Sequence, residues 1–170
     1  MSLSLYYVDK KYIDYLQNIE KHVRGYTHVP NMDYGNREQK FICGVVLELR
    51  DFQYYVPVTS YSRKQPDNIL IEVLSDRIKP VKGSLRFNYM FPAPRECITE
   101  LIIANEPDSK KKNLLNKELN FILANEKRIL NKARQTYSKV TNKVNDSITK
   151  NSCDFALLET ACNNYIVHEI

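Results

Sequence analysis

The chain holds no tryptophan, only four glycines, seven prolines, three histidines and four cysteines in 170 residues. So little Gly and Pro excludes collagen-like and low-complexity structure. The cysteines (Cys43, Cys97, Cys153 and Cys162) form no C-x-x-C pair. Their spacing to His22, His28 and His168 fits no zinc template, so structural free thiols in a reducing, cytoplasmic compartment are expected. Long apolar runs are also missing. Ile42 to Val46 falls far short of the roughly 20 residues that cross a bilayer, so no membrane association is expected. Met1 to Tyr6 lacks a basic stretch followed by an apolar one, so no secretory signal is expected. The motifs GxxxxGK[ST], GxGxxG, HExxH and GxSxG are all absent, which removes the usual nucleotide, zinc-protease and serine-hydrolase templates. The histidines lie outside the strand-rich centre, so a two-histidine ribonuclease arrangement is not suggested. Neither a metal nor an organic cofactor is expected.

What is present supports one folded domain over residues 1–170. Hydrophobic residues make up 43% and charged residues 26%, enough for a sizeable core. Tyr outnumbers Phe twelve to six, a composition compatible with an RNA-facing protein. The net charge is +5, but it is unevenly spread. Residues 110–150 carry eleven basic against three acidic side chains, or +8, and the rest carries fourteen against seventeen, or −3. A concentrated basic face is the footprint of polyanion binding; its bland counterpart is a solvated helix surface.

Asp9 is placed to cap a helix from Lys10, with Tyr12, Leu16, Ile19 and Val23 as its apolar face and Gly25 as its stop. Tyr26 to Glu38 reads as a loop. Phe41 to Leu49, opened by Lys40, reads as a central strand. Arg50-Asp51 links it to Phe52–Val58 in an antiparallel hairpin, with pairing loosened at Pro57. Ile69–Leu74 and Ser84–Phe91 read as further strands; in the latter Leu85, Phe87, Tyr89 and Phe91 share one face, and Arg86 and Asn88 the other. Cys97–Ala104 is a short strand or helix. From Asp108 or Ser109 a long amphipathic helix, or two with a break near Asn125, runs through Leu115, Leu119, Ile122, Ile129, Ala133, Tyr137, Val140 and Val144. A last helix starts near Asp154. The expected class is α+β: an antiparallel sheet flanked by helices, with a helical C-terminal third.

In an antiparallel hairpin the start of one strand lies beside the end of its partner. Lys40 should therefore lie close to Thr59 and Ser60, with Arg63 and Lys64 beyond. Hydroxyls and loop amides hold phosphate, cations stabilise charge growing on it, and a desolvated lysine can serve as a base. Such a set suits metal-free attack of a ribose 2′-hydroxyl on the neighbouring phosphate. A polar turn with a surface lysine would look the same in sequence.

Several ordered stretches carry a family resemblance. They are Lys11–Leu16, Lys40–Glu48, Val56–Ser60, Phe87–Pro92, Lys117–Ile122 and Cys153–Glu159. Together the set resembles the ToxN/AbiQ family of endoribonuclease toxins from type III toxin–antitoxin systems. The resemblance implies a strongly twisted antiparallel sheet flanked by helices and metal-independent RNA cleavage leaving a 2′,3′-cyclic phosphate and a 5′-hydroxyl. It also implies abortive infection against phage, and inhibition by a small repeated RNA antitoxin that the toxin processes. Cellular or phage RNAs are the implied substrates, and an RNA-bridged oligomer the implied assembly.

By the same resemblance Lys40, Thr59 and Ser60 fall at catalytic positions. A second family lysine falls at Ser62 here, which leaves Lys64 as the second cation and Arg63 as its competitor. Tyr12 matches a tyrosine near the RNA groove, with core packing as the other reading. Tyr61, Ser62, Arg63, Arg86, Lys127, Arg128, Lys132 and Arg134 complete the expected RNA-binding set. The rival reading is a non-catalytic RNA-binding module in which Lys40 and the Thr59-Ser60 loop only grip phosphate. A DNA-binding regulator is a third reading, disfavoured by the lack of a helix-turn-helix pattern.

Overall fold

The computed structural model describes residues 2–32, 39–73 and 81–165. Residues 33–38 of the expected loop and Leu74 of an expected strand lie outside them. The first strand, β1 (Ser4–Val8), leads into helix α1 (Lys10–Arg24). Asp9 caps that helix by accepting from the Lys11 amide at 3.0 Å. Gly25 ends it at φ 81°, in the left-handed region that suits glycine, and donates to the Lys21 carbonyl. The buried stripe is Tyr12, Ile13, Leu16 and Glu20, while Val23 is exposed.

Strand β2 (Ile42–Leu49) turns through Arg50-Asp51 into β3 (Phe52–Thr59). Arg50 takes the left-handed conformation that the tight turn demands, φ 53°. The register shifts between Gly44 and Leu47, a bulge in β2. Gly44 lies flat against the Tyr55 ring: a Cβ there would come within 2.3 Å of it. Next come β4 (Asn68–Val73), β5 (Val81–Arg86), β6 (Phe91–Pro92) and β7 (Ile98–Glu100). The sheet order is β4-β5-β3-β2-β1-β7, with β6 paired to β3, and every pairing is antiparallel.

Helices α2 (Ser109–Ala124) and α3 (Glu126–Thr141) meet at Asn125, the expected break. Asp108 caps α2 through the Lys110 and Lys111 amides. The periodic stripe stays buried at Leu115, Ile122, Ile129, Ala133 and Val140, but α3 stops short of Val144, which is exposed. A short α4 (Asp146–Lys150) precedes α5 (Phe155–Asn164), whose cap is Asp154. α1 packs on α5, α2 on β4, and α3 on β2. The chain is thus α+β, with helices flanking an antiparallel sheet. Among the described residues, no helix is long and apolar enough to cross a membrane.

Helix α3 is docked by a buried aromatic cluster. Tyr137 stacks on Phe155 with centroids 5.6 Å apart, and both meet Tyr54 edge-on. Such pairs contribute about 0.5–1.5 kcal/mol each beyond their buried area. Tyr54 and Tyr137 both donate to one Glu159 oxygen, at 2.6 and 2.8 Å. The four cysteines are free thiols, three of them buried. Burial pushes Cys43 up to about 12 and Cys97 up to about 11.

One expected element breaks. Ser84–Phe91 is not a continuous strand: β5 ends at Arg86, residues 87–89 make a 3₁₀ turn, and β6 resumes at Phe91. Leu85, Phe87 and Phe91 are buried as the alternation predicts, but Asn88 is buried too. Its amide donates to the Asn151 carbonyl at 2.7 Å, and its own carbonyl accepts from Cys153 at 2.9 Å. Those long-range bonds outweigh the local strand pattern.

Candidate active site

Strand β3 changes partner along its length. Tyr54 and Tyr55 pair with β6, whereas Val58 and Thr59 pair with Leu85 and Ser84 of β5. Pro57, without an N–H, sits between the two ladders. Across the hairpin Ile42 faces Pro57, and Val58 donates to the Phe41 carbonyl at 3.2 Å. Continued one step, that register sets Lys40 opposite Thr59. Both line one cavity of about 300 Å3, together with His28, Pro57, Arg86 and Tyr89.

Thr59 is held firmly. Its hydroxyl lies 3.1 Å from the Ser84 hydroxyl and accepts from the Tyr61 amide at 3.3 Å. Gly83 makes this fit possible, since a Cβ there would come within 2.8 Å of the Thr59 carbonyl oxygen. Arg86 closes the cavity. Its guanidinium carbon sits 4.6 Å from the Tyr61 ring centre and 4.3 Å from that of Tyr89. One of its terminal nitrogens donates to the Tyr89 hydroxyl at 3.3 Å. The break in the expected strand at residues 87–89 is what brings Tyr89 back over Arg86.

His28 joins from the segment after α1. Its ring stacks on Tyr89 at 5.6 Å with an interplanar angle of 11°. Its Nε2 lies 2.8 Å from the Lys150 carbonyl, which makes that nitrogen the donor. Glu20, wholly buried, fixes the segment by accepting from the His28 amide at 2.6 Å and the Thr27 hydroxyl at 3.0 Å. Its other oxygen accepts from the Asp154 amide and Arg24. Four donors satisfy this buried carboxylate. Sequence reasoning sets the histidines aside, and no local pattern ties residue 28 to residues 86–89.

Ser60, Ser62, Arg63 and Lys64 are exposed and Tyr61 is half-buried. Asn68, fully buried, organises their loop. It accepts from the Gln65 amide, donates to the Arg63 carbonyl, and accepts from the Lys64 ammonium on its backbone oxygen, all within 2.8–2.9 Å. Lys64 thereby lines a second cavity of about 600 Å3 with Lys127, Arg128, Lys132 and Asn125, and not the cavity of Lys40. Lys132 donates to the Pro66 carbonyl, and burial together with neighbouring Lys64 pushes its ammonium downward. Arg134 is exposed on α3, bonded to Asn131, and does not line either cavity.

Tyr12 departs from its expected place at an RNA groove. It is fully buried, and its hydroxyl donates to the Pro92 carbonyl at 2.6 Å. Burial also drives its phenol far upward. Core packing accounts for this side chain: it joins α1 to β6, and no face of it reaches solvent.

Seven of the expected site residues line the two cavities. Lys40, Thr59 and Arg86 share one cavity, with Ser60 next along the chain. Lys64, Lys127, Arg128 and Lys132 share the other.

Comparison with known proteins gives a consistent picture. Endoribonuclease AbiQ of Lactococcus lactis subsp. lactis is 27% identical over 176 residues, covering 97% of this chain and 90% of AbiQ. A solved structure of AbiQ, described as a lactococcal anti-phage endoribonuclease of a type III toxin–antitoxin system, matches with a TM-score of 0.77 at 24% identity over 96% of this chain and 97% of that one. Endoribonuclease ToxN of Pectobacterium atrosepticum is 28% identical over 165 residues, covering 92% and 90% of the two chains. A structure from a study of selective toxin inhibition by a non-coding RNA pseudoknot matches with a TM-score of 0.83 at 25% identity, over 97% of this chain and 98% of that one. Residues 4–163 match the family model described as Toxin ToxN, type III toxin–antitoxin system. With nearly its whole length matched, in sequence and in fold, the chain belongs to the ToxN family of type III toxin–antitoxin toxins.

Proposed function

We propose that the chain is an endoribonuclease toxin that cuts RNA without a metal, at the cavity where Lys40 and Thr59 meet. The observation that carries this reading is their shared cavity, closed by Arg86. The Lys40 amine takes the proton from a ribose 2′-hydroxyl. The freed oxygen attacks the adjacent phosphorus, and the bond to the 5′ oxygen breaks. That oxygen leaves as a hydroxyl, protonated from water, and the other product is a 2′,3′-cyclic phosphate. Charge on the phosphoryl oxygens is met by the Thr59 and Ser60 hydroxyls and by the Arg86 guanidinium. In this reading Arg86 is the second cation of the site, and Lys64 grips the strand with Lys127, Arg128 and Lys132.

The partner is a small repeated RNA antitoxin, bound across both cavities and trimmed by the toxin. Cellular or phage RNAs are the targets, in abortive infection. The lactococcal relative described as an anti-phage endoribonuclease supports this setting, and the neighbour from a study of toxin inhibition by a non-coding RNA pseudoknot supports the RNA partner. The assembly is an RNA-bridged oligomer of a single-domain cytoplasmic protein.

The test is cleavage of end-labelled antitoxin RNA in EDTA. The expected products carry cyclic phosphate and 5′-hydroxyl ends, and Lys40→Ala forms them about 10²–10⁴-fold more slowly. Cleavage only after a divalent metal is added, or 5′-phosphate ends, overturns the chemistry. An intact label under all conditions leaves the non-catalytic RNA-binding module.

A further inference from the structure

His28 enters the cavity of Lys40 from the segment that follows α1. That segment runs beside Lys40, whose amide donates to the Met32 carbonyl at 3.3 Å. In the cleavage step proposed above His28 has no task. Yet almost every group it owns is committed. Its backbone amide donates to buried Glu20. Its Nε2 donates to the Lys150 carbonyl at 2.8 Å. Its ring stacks on Tyr89, and Tyr26 meets it edge-on with centroids 5.4 Å apart. Tyr26 is itself fixed, since the Arg24 guanidinium carbon lies 4.5 Å from its ring centre and Arg24 donates to its hydroxyl at 2.8 Å.

One polar atom is left over. Among the described residues His28 Nδ1 has no hydrogen-bond partner, and it is not one of the buried atoms cut off from solvent. Donation from Nε2 fixes the tautomer, so Nδ1 carries a bare lone pair in the neutral ring and an N–H in the imidazolium. An imidazole held by two rings and a hydrogen bond, with one open nitrogen in the cavity of Lys40 and Thr59, has the form of a proton donor. Packing asks less of this side chain: it needs a flat ring against Tyr89 and no open nitrogen. Cleavage needs such a donor, because a 5′ alkoxide is a poor leaving group. In an in-line displacement Lys40, on the attacking side, is turned away from the leaving oxygen.

We propose that His28 is the general acid of the reaction: its imidazolium passes the Nδ1 proton to the departing 5′ oxygen as the bond from phosphorus to that oxygen breaks. The electron pair of that bond stays on the oxygen and takes up the proton, which leaves His28 neutral. Water then reprotonates Nδ1, and the Lys40 ammonium returns the 2′ proton to water, so the protein ends as it began. The proton of the new 5′-hydroxyl thus comes from water by way of His28. The inference rests on the endoribonuclease reading above and assigns the proton donor of that same site.

The test replaces the leaving oxygen by sulfur. The probe is an RNA with a bridging 5′ sulfur at the linkage that the wild-type protein cuts, compared with the all-oxygen RNA in single-turnover assays. A thiolate leaves without being protonated, so loss of the acid goes unnoticed on the sulfur RNA. His28→Ala is expected to slow cleavage of the oxygen RNA by about 10²–10⁴-fold, the usual worth of a general acid, and to cut the sulfur RNA at the wild-type rate. His28→Gln should do the same while its amide keeps a donor for the Lys150 carbonyl, and it carries the test if the alanine variant folds poorly. Lys40→Ala should stay slow on both RNAs. Equal slowing of both RNAs by the His28 variants makes the imidazole a prop for Tyr89 and overturns the inference, as does wild-type cleavage of both. Either result leaves the endoribonuclease reading standing. A wild-type protein that cuts neither RNA sinks both.

Discussion

The two basic cavities hold their cations in different ways. At the hairpin end, Arg86 is clamped between two tyrosine rings and tied to the Tyr89 hydroxyl. Along α3, Lys127 and Arg128 are exposed on a helix face, and only Lys132 is half-buried. A fixed, partly desolvated cation acts on charge that develops at one point and needs no reorganisation as it does so. Exposed cations act at longer range and are weakened by salt. Charge density and chemistry have thus parted: the +8 segment builds the grip, while the proposed cut lies in a part of the chain that is negative overall. The comparison also separates Lys64 from Lys40, although the sequence pattern groups both at one site.

The largest expected effect breaks the comparison at its centre. Lys40→Ala should lower RNA cleavage by about 10²–10⁴-fold, the usual worth of a general base, with melting nearly unchanged. Cleavage at a wild-type rate would move the chemistry elsewhere. Next in size, Arg86→Gln should cost about 10²-fold in cleavage rate, while Lys64→Ala lowers affinity several-fold and leaves the rate at saturating RNA intact. The opposite ranking in single-turnover assays returns the second-cation role to Lys64. Gly83→Ala tests how the cavity is built: its Cβ presses on the Thr59 carbonyl. Cleavage should fall by about tenfold or more, as a misplacement of about 1 Å can cost 10²-fold. Unaltered kinetics would show that the Thr59 backbone has room to yield.

Charge reversal at Lys127, Arg128, Lys132 and Arg134 together should weaken binding of antitoxin RNA and flatten its dependence on salt, by about 0.7 in logarithmic slope for each phosphate no longer neutralised. An unchanged slope would make α3 a solvated face. The smallest effect concerns stability. Burial pushes Glu118 on α2 from 4.5 up to about 7. The folded state then holds this proton more tightly than the unfolded state, so stability falls as pH rises from about 4.5 through 7. Glu118→Gln should remove that fall and raise the melting temperature at pH 8. A melting profile that keeps its slope would assign the pH dependence to other groups.

Local patterns carry much of the fold. Asp9, Gly25, Asp108 and Asp154 stop or start helices where their short-range hydrogen bonds or backbone freedom allow, and Asn125 breaks the long helix. The Arg50-Asp51 turn and the apolar run before it fix the hairpin, but the register at the turn would set Lys40 opposite Tyr61; the bulge between Gly44 and Leu47 shifts the pairing by two and brings Lys40 opposite Thr59. Other parts are not legible. Alternation predicts a strand through residue 91, yet Asn88 finds partners 63 and more residues away. Lys64 sits four residues beyond Ser60, but buried Asn68 turns it into the other cavity. Tyr12 has the same helical spacing whether it faces RNA or core, and only the packing of α1 against β6 decides between them.

The scarcity of histidine and cysteine keeps a bounded meaning. Few histidines and scattered cysteines direct attention to lysine and hydroxyl chemistry, and the hairpin supplies it. Yet His28 lines the same cavity, through a segment pinned by buried Glu20. Sequence by itself determined what depends on neighbours along the chain: caps, breaks, the tight turn and the basic segment. Tertiary structure alone decided which distant groups face one another: His28, Arg86 and Tyr89 around Lys40. The physical reason is range. Capping and alternation act over a few residues, whereas a buried polar group takes its partner from wherever the chain brings one.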